Sequence, residues 1–376
     1  MSISERMLKN TNYPDLGKTL SMVPMNALQA AWLESNAARA AQLTPSDVLR
    51  QYESNQYTQP SELNQRSIIE FEHMVSETLP PSIDLVELSP VTAFGSNSVL
   101  SDISQNNIMV TSRNTEVVAD AVTALTLEAA RRKRIQRKDV DSRAMSLGSF
   151  HRELRTQQHV QPGFLPHFHA LSLVTSKFDK SPVDFVSSEL SNHTQSYINI
   201  ISNATRIGYD NKGIGVGLSN IRIMELLVNK LNLDRAQIMR STQLPGYKVF
   251  ENFNIPLPET IDIDNLSGIV ESLDEEFEFL KKPLLYMERS FEGLIRALKE
   301  KGLEDLHIWF DVGRHAGIGY YQDLCVKISA MNEDEKVYPL VDIGTNDWMA
   351  KIFSNKNERL ITGGMGTELF MNQFRV

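Results

Sequence analysis

The stretch from Asp311 to Val376 constrains the fold more than any other part of the chain. Asp311-Val312-Gly313-Arg314 leads through Gly317-Ile318-Gly319 to Tyr320-Tyr321, and Asp342-Ile343-Gly344-Thr345-Asn346-Asp347 precedes Gly363-Gly364-Met365-Gly366-Thr367-Glu368-Leu369. Between them Leu324, Val326 and Ile328 alternate with Cys325, Lys327 and Ser329, the period-two pattern of a strand with two unlike faces. Glycines recurring among strands mark places where the backbone is closely approached. An arginine, paired tyrosines and such glycines read together as the floor of an active site.

The 376 residues, 41% hydrophobic and 23% charged, suffice for one large domain with an appendage. No apolar run approaches the ~18 residues that span a bilayer, and Met1 to Arg6 begins no signal segment, so a soluble, cytoplasmic protein without membrane contact is expected. A single cysteine, Cys325, excludes an internal disulfide and a multi-cysteine zinc site, and its strand context predicts a packed thiol. A net charge of −9 argues against a general nucleic-acid binder. The local exception is Arg131-Arg132-Lys133-Arg134 with Arg137 and Lys138. It reads as a solvated helix end complementing the dipole, as an RNA or polyphosphate contact, or as a partner surface.

Residues 1–60 read as a helical extension, with an Ala-rich helix from Asn26 to Ala41 and a capped start at Thr44-Pro45-Ser46-Asp47. Residues 61–376 form the main domain. A capped helix runs from Ser61 to about Thr78 with Ile68, Ile69, Phe71 and Met74 near one face, Leu79-Pro80-Pro81 ends it, and a strand follows from Ile83 to Leu88. Ile108-Met109-Val110 reads as a short strand, and a helix is expected from about Thr115 to Arg134. Residues 185–300 form a largely helical region, in which Glu275, Glu276 and Glu278 are expected on a solvated face. Gly213-Ile214-Gly215-Val216-Gly217 does not fit the G-x-G-x-x-G nucleotide loop. His167 and His169 share a strand face, but no third ligand lies near them, so no metal site is assigned.

Four segments resemble the catalytic core of class II aminoacyl-tRNA synthetases in its histidyl form. Helix, break, strand and Ser89-Pro90 follow the layout of motif 1, which builds the dimer interface in that family. Arg113-Asn114-Thr115-Glu116 is similar to R-P-E-G-T, whose acid holds the amino-acid ammonium. Arg152-Glu153-Leu154-Arg155-Thr156-Gln157, with Phe168-His169 beyond a loop, resembles motif 2, R-x-E-R-P-Q followed by F-H-Q. The C-terminal run resembles R-G-L-D-Y-Y-T-G, G-G-R-Y-D and the motif 3 element G-x-E-R-L in order.

The resemblance implies an α+β fold, an antiparallel sheet flanked by helices, and a homodimer. It also implies ATP, with Mg2+ as the accompanying ion. Arg152 and Arg314 would be catalytic on the α-phosphate, since a guanidinium fork holds phosphate and stabilises charge developing there. Arg155, Gln157, Gly364 and Gly366 would share the nucleotide with Arg152. An amino acid or similar small zwitterion would meet Arg113, Glu116, Phe168, His169, Tyr320, Tyr321 and Asp347. Three departures matter. Leu154 replaces the motif 2 glutamate, Gly319 replaces the aspartate before the paired tyrosines, and Leu369 replaces the motif 3 arginine that holds the γ-phosphate. The chain ends at Val376, without the anticodon-binding domain, so tRNA is not the expected acceptor. Two readings stay open. One is a stand-alone ligase passing an aminoacyl-adenylate to a small molecule, protein partner or carrier. The other is a non-catalytic dimeric sensor similar to the synthetase-like regulatory subunit of ATP phosphoribosyltransferase.

Overall fold

The computed structural model describes residues 3–101, 103–136, 144–156, 165–242, 244, 246–302 and 306–376. The chain opens with helices α1 (Ile3–Leu8), α2 (Leu16–Met22), α3 (Met25–Ala40) and α4 (Pro45–Ser54). A reciprocal capping box starts α4: Thr44 Oγ1 accepts from the Asp47 amide at 3.3 Å, and the Asp47 carboxylate accepts from the Thr44 amide at 2.9 Å. Among the described residues before Ile68, Leu28 is the one buried apolar side chain. These helices therefore contribute little to the main core.

Helix α5 (Gln65–Thr78) starts where Asn64 accepts from the Arg66 amide, and it buries Ile68, Phe71, Met74 and Val75 along one stripe. Ile69 stays more than half exposed. The strand expected from Ile83 to Leu88 is shorter, β1 (Ile83–Leu85), and β2 (Val91–Ala93) follows. The expected strand at Ile108-Met109-Val110 is not formed: a 3-10 turn at Gln105–Asn107 precedes it, and Val110 makes only an isolated bridge to Glu116. Thr115 and Glu116 do not begin a helix either. They lie in β3 (Thr115–Val117), paired antiparallel with β2. Glu116 is wholly buried and accepts from the amides of Gly95 and Asn97 at 2.9 Å each, a demand that holds this stretch extended.

Helix α6 (Ala121–Ile135) is capped by Asp120, whose Oδ1 accepts from the Val122 amide. Much of its basic end is consumed in ion pairs: Arg131 with Glu128, Arg132 with Glu128 and Asp84, and Lys133 with Glu358. Arg137 and Lys138 lie outside the described residues. Strands β4 (Met145–Leu154) and β5 (His167–Phe178) pair antiparallel. Then come α7 (Pro182–Asn203), β6 (Gly213–Asn220), α8 (Ile221–Lys230), α9 (Arg235–Ser241), α10 (Val249–Asn252), β7 (Thr260–Asp262), α11 (Leu266–Glu271) and α12 (Lys281–Glu300). Glu275, Glu276 and Glu278 are exposed on the 3-10 turn before α12. The chain closes with β8 (Leu306–Asp311), β9 (Leu324–Met331), β10 (Val337–Asn346), α13 (Trp348–Phe353), β11 (Glu358–Met365) and α14 (Thr367–Gln373).

Among the described residues nine strands form one sheet in the order β1-β4-β5-β11-β10-β9-β6-β8-β7. The pairs β1–β4 and β6–β8 are parallel and the rest antiparallel. One face is packed by α5, α7, α12 and α14, whose residues share the principal core with the strands; α6 and α13 pack on a second cluster with Leu147, Val174 and Leu360. The fold is α+β, an antiparallel-dominated sheet flanked by helices. Cys325 lies wholly buried in β9, and burial pushes its thiol up to about 12, so it packs as an apolar residue.

Candidate functional site

The central strands and α6 enclose a cavity of about 620 Å3. Its floor is β5, β10 and β11, and one wall is the loop that carries the paired tyrosines. Gly344 in β10 leaves room for the Tyr321 ring: a Cβ there would stand 2.4 Å from it. Gly317, at φ +98°, turns the loop back so that Tyr321 can lie on that strand. Tyr320 meets Tyr321 edge-on with ring centroids 4.8 Å apart, and it meets Trp348 in the same way at 5.1 Å.

Arg155, Phe168, Arg314, Tyr320, Tyr321, Gly364 and Gly366 all line this cavity. Arg155 extends over the Phe168 ring, its Nε donates to the Ala119 carbonyl at 2.8 Å, and its Nη2 pairs with Glu153 at 3.0 Å. Burial pushes the Glu153 carboxyl up to about 7, with Arg155 opposing that shift. Arg314 is 4% exposed and pairs through Nη2 with the half-exposed Asp342 at 2.9 Å. Burial is the largest single influence and opposes its charge, but Asp342, Cys325, Tyr321 and Asp311 together more than offset it and hold its pKa above the usual arginine value. Its Nε donates to the Ala316 carbonyl, while its buried Nη1 has no partner among the described residues. An orphaned guanidinium donor in a cavity is a demand for an anionic or carbonyl acceptor.

Other expected site residues do not reach the cavity. Arg152 pairs in register with His169, so the two share a sheet face, and that face is turned toward α5 and α14. Arg152 Nη1 donates to Glu368 Oε2 and to His167 Nδ1, both at 3.0 Å. His169 lies between Glu72 and Thr367, each 3.2 Å away. The physical reason is the pleat: Glu153 and Phe168 are the pair that faces the cavity, and Arg152 cannot share their side. Glu116 spends its carboxylate on the turn at Gly95 and Asn97. Arg113 is exposed on the turn before β3, and Asp347 stands just before α13, where its carboxylate makes no capping bond and pairs with the Lys351 ammonium. Gln157 lies outside the described residues. Missed instead was Asp120, which lines the cavity and accepts from the Tyr320 hydroxyl at 2.7 Å. Its signal was present as an aspartate immediately before an apolar-periodic run, the ordinary start of a helix.

ATP and Mg2+ do not fit this residue set. Arg155 already directs donors to Ala119 and Glu153, Arg314 offers one donor without a partner among the described residues, and Asp120, Glu153 and Asp342 bring three carboxyl groups to the same cavity, which disfavours a triphosphate's charge. Among the described residues no group of His, Cys, Asp and Glu is arranged to hold a metal ion.

Solved structures share the architecture. An ATP phosphoribosyltransferase regulatory subunit/histidyl-tRNA synthetase from Bacillus halodurans matches with a TM-score of 0.58 at 13% identity, covering 85% of this chain and 83% of that one. This chain carries the class II core fold of histidyl-tRNA synthetases. A histidyl-tRNA synthetase from Nostoc sp. PCC 7120 (TM-score 0.55, 13% identity) matches over 84% of this chain and 74% of its own length. A histidine–tRNA ligase subunit from Alicyclobacillus acidocaldarius (TM-score 0.58, 12% identity) matches over 83% and 94%. No protein-family model and no curated protein sequence matches the chain. The histidyl-synthetase-like core thus rests on shape, and identities this low show the fold alone.

Proposed function

We propose that this histidyl-synthetase-like protein is a non-adenylating sensor whose cavity binds a small zwitterion of the amino-acid class. The observation that carries the reading is the placement of Arg152, turned away from the cavity and spent on Glu368. Adenylate formation requires preorganised positive charge on the α-phosphate and a hold on the leaving pyrophosphate. Leu369 removes the second of these. What remains suits a smaller ligand: Arg314 Nη1 for a carboxylate, Asp120 beside the Tyr320 hydroxyl for an ammonium, and Phe168 with Ile318 for an apolar side chain. One structural neighbour is named as a regulatory subunit of ATP phosphoribosyltransferase, which is in keeping with a sensor acting through a dimer or a protein partner.

The second reading, a ligase that activates a carboxylate for a non-tRNA acceptor, is favoured by the presence of Arg155 and Arg314 in the same cavity. Calorimetry with free amino acids, ATP and a non-hydrolysable aminoacyl-adenylate mimic separates the two. The sensor binds a free amino acid best and ATP worst, and it catalyses no ATP–pyrophosphate exchange. Arg314→Lys weakens the amino acid about tenfold, the order expected when a charge-assisted hydrogen bond is lost. Arg152→Gln leaves that affinity nearly unchanged. Exchange activity that disappears in Arg152→Gln would establish the ligase instead.

A further inference from the structure

A second cavity, of about 640 Å3, lies at the strand ends between the N-terminal turns of α7 and α12 and the outer face of α8. Its residues are distinct from those of the front cavity. Val183, Val186, Leu226, Pro283 and Leu360 give it an apolar body. Two polar atoms inside it are buried without partners among the described residues: Thr345 Oγ1, on a residue 5% exposed, and Asp323 Oδ1. Leaving such groups unmet costs roughly 1–3 kcal/mol each, so their presence together in an open-mouthed cavity points to a ligand that meets them. The Tyr286 hydroxyl and one cation, Arg222, face Asp323, and neither meets its Oδ1. Arg222 stands 3.7 Å from its other oxygen with half of its own side chain in solvent, and its Nε is turned to the Gln322 carbonyl. Away from Asp323 the lining carries two further cations, Lys282 and Arg359.

We propose that this cavity is a second ligand site, for an elongated small molecule of the ω-amino-acid class. Its ammonium donates to Asp323 and to Thr345 Oγ1 at the inner end, its methylene body lies on the apolar walls, and its carboxylate meets Lys282 and Arg359. Burial holds the Asp323 carboxyl above its usual range. An ammonium placed beside it stabilises the charged form, so the ligand supplies what the empty cavity lacks. The inner end excludes carboxylates, because a second anion there would face Asp323 without a partner.

The probe is 6-aminohexanoate, titrated into the whole protein by calorimetry, with hexanoate and hexylamine as analogues lacking one end each. The expected result is binding of 6-aminohexanoate about tenfold tighter than either analogue, one charged hydrogen-bonding end being worth that order. Asp323→Asn abolishes the preference over hexanoate. Leu226→Trp, which fills the cavity, abolishes binding altogether. Thr345→Val is the internal check on folding, because it removes an unmet hydroxyl at nearly constant shape. It raises the melting temperature of the free protein while weakening 6-aminohexanoate several-fold. Absence of binding at millimolar probe, or binding that survives all three substitutions, overturns the proposal.

Discussion

His193 lies wholly inside α7, with Nε2 2.8 Å from the Thr175 hydroxyl and Nδ1 without a partner among the described residues. Burial holds its pKa down to about 4, against 6.5 in solvent. The unfolded chain therefore takes up a proton at a pH where the folded chain does not. The stability this group contributes is present above about pH 6.5 and is lost as pH falls toward about 4, by roughly 3 kcal/mol in total. Denaturant unfolding of wild type and His193→Gln across that window should show a steeper acid slope for wild type. Parallel slopes would remove His193 as the cause. Individual residues were legible in the sequence where chemistry is local: the buried thiol of Cys325, the capping pair Thr44 and Asp47, and the paired tyrosines with their glycines. Arg152 was not. The motif match fixed which residues were nearby, but the side of the sheet depends on the register with His169, a contact across a loop that no local pattern specifies.

Helix α14 shows how an element borrows its start from distant strands. Glu368, in its first turn, accepts from Arg152 Nη1 at 3.0 Å and from the His169 amide at 2.8 Å, and it also accepts from the Ser61 hydroxyl. One carboxylate thus ties together the β4–β5 hairpin, the segment entering α5, and α14. Glu368→Ala should cost about 3 kcal/mol, the low end for breaking a buried pair because Arg152 keeps a third of its side chain in solvent. The same substitution should leave ligand affinity in the front cavity nearly unchanged. A loss below about 1 kcal/mol in denaturant unfolding, less than one charged hydrogen bond contributes, would show that the junction is not held this way. At this scale α5 and the alternation of β9 were legible, since cap and periodicity act within a few residues. The start of α6 was placed too early. Thr115-Glu116 has the composition of a helix N-terminus, but its glutamate is claimed by two amides some twenty positions earlier in the chain, and the claim holds it in a strand.

In the whole molecule the resemblance of its motifs implied a sheet flanked by helices, while its strand order was hidden. β11 lies between β5 and β10, so the last strand of the chain is central, and only pairing across more than 150 residues puts it there. That order leaves β1 at one margin, three residues long and bonded on one side to β4. A short edge strand next to an exposed apolar residue is a suitable two-fold surface: Ile69 of α5 and Leu85 of β1 are 56% and 37% exposed. Isologous contact would bring the same patch of two copies together, and C2 pairing is the commonest closed assembly. The expected species is therefore a homodimer of twice 42.5 kDa, assembled through residues 61–90. Light scattering on the intact chain at micromolar concentration measures it directly. Ile69→Glu and Leu85→Lys each place a charge in the patch and should shift the population to monomer while leaving the circular dichroism spectrum unchanged. A wild-type monomer, or a dimer indifferent to both substitutions, would mean that this edge is not the interface.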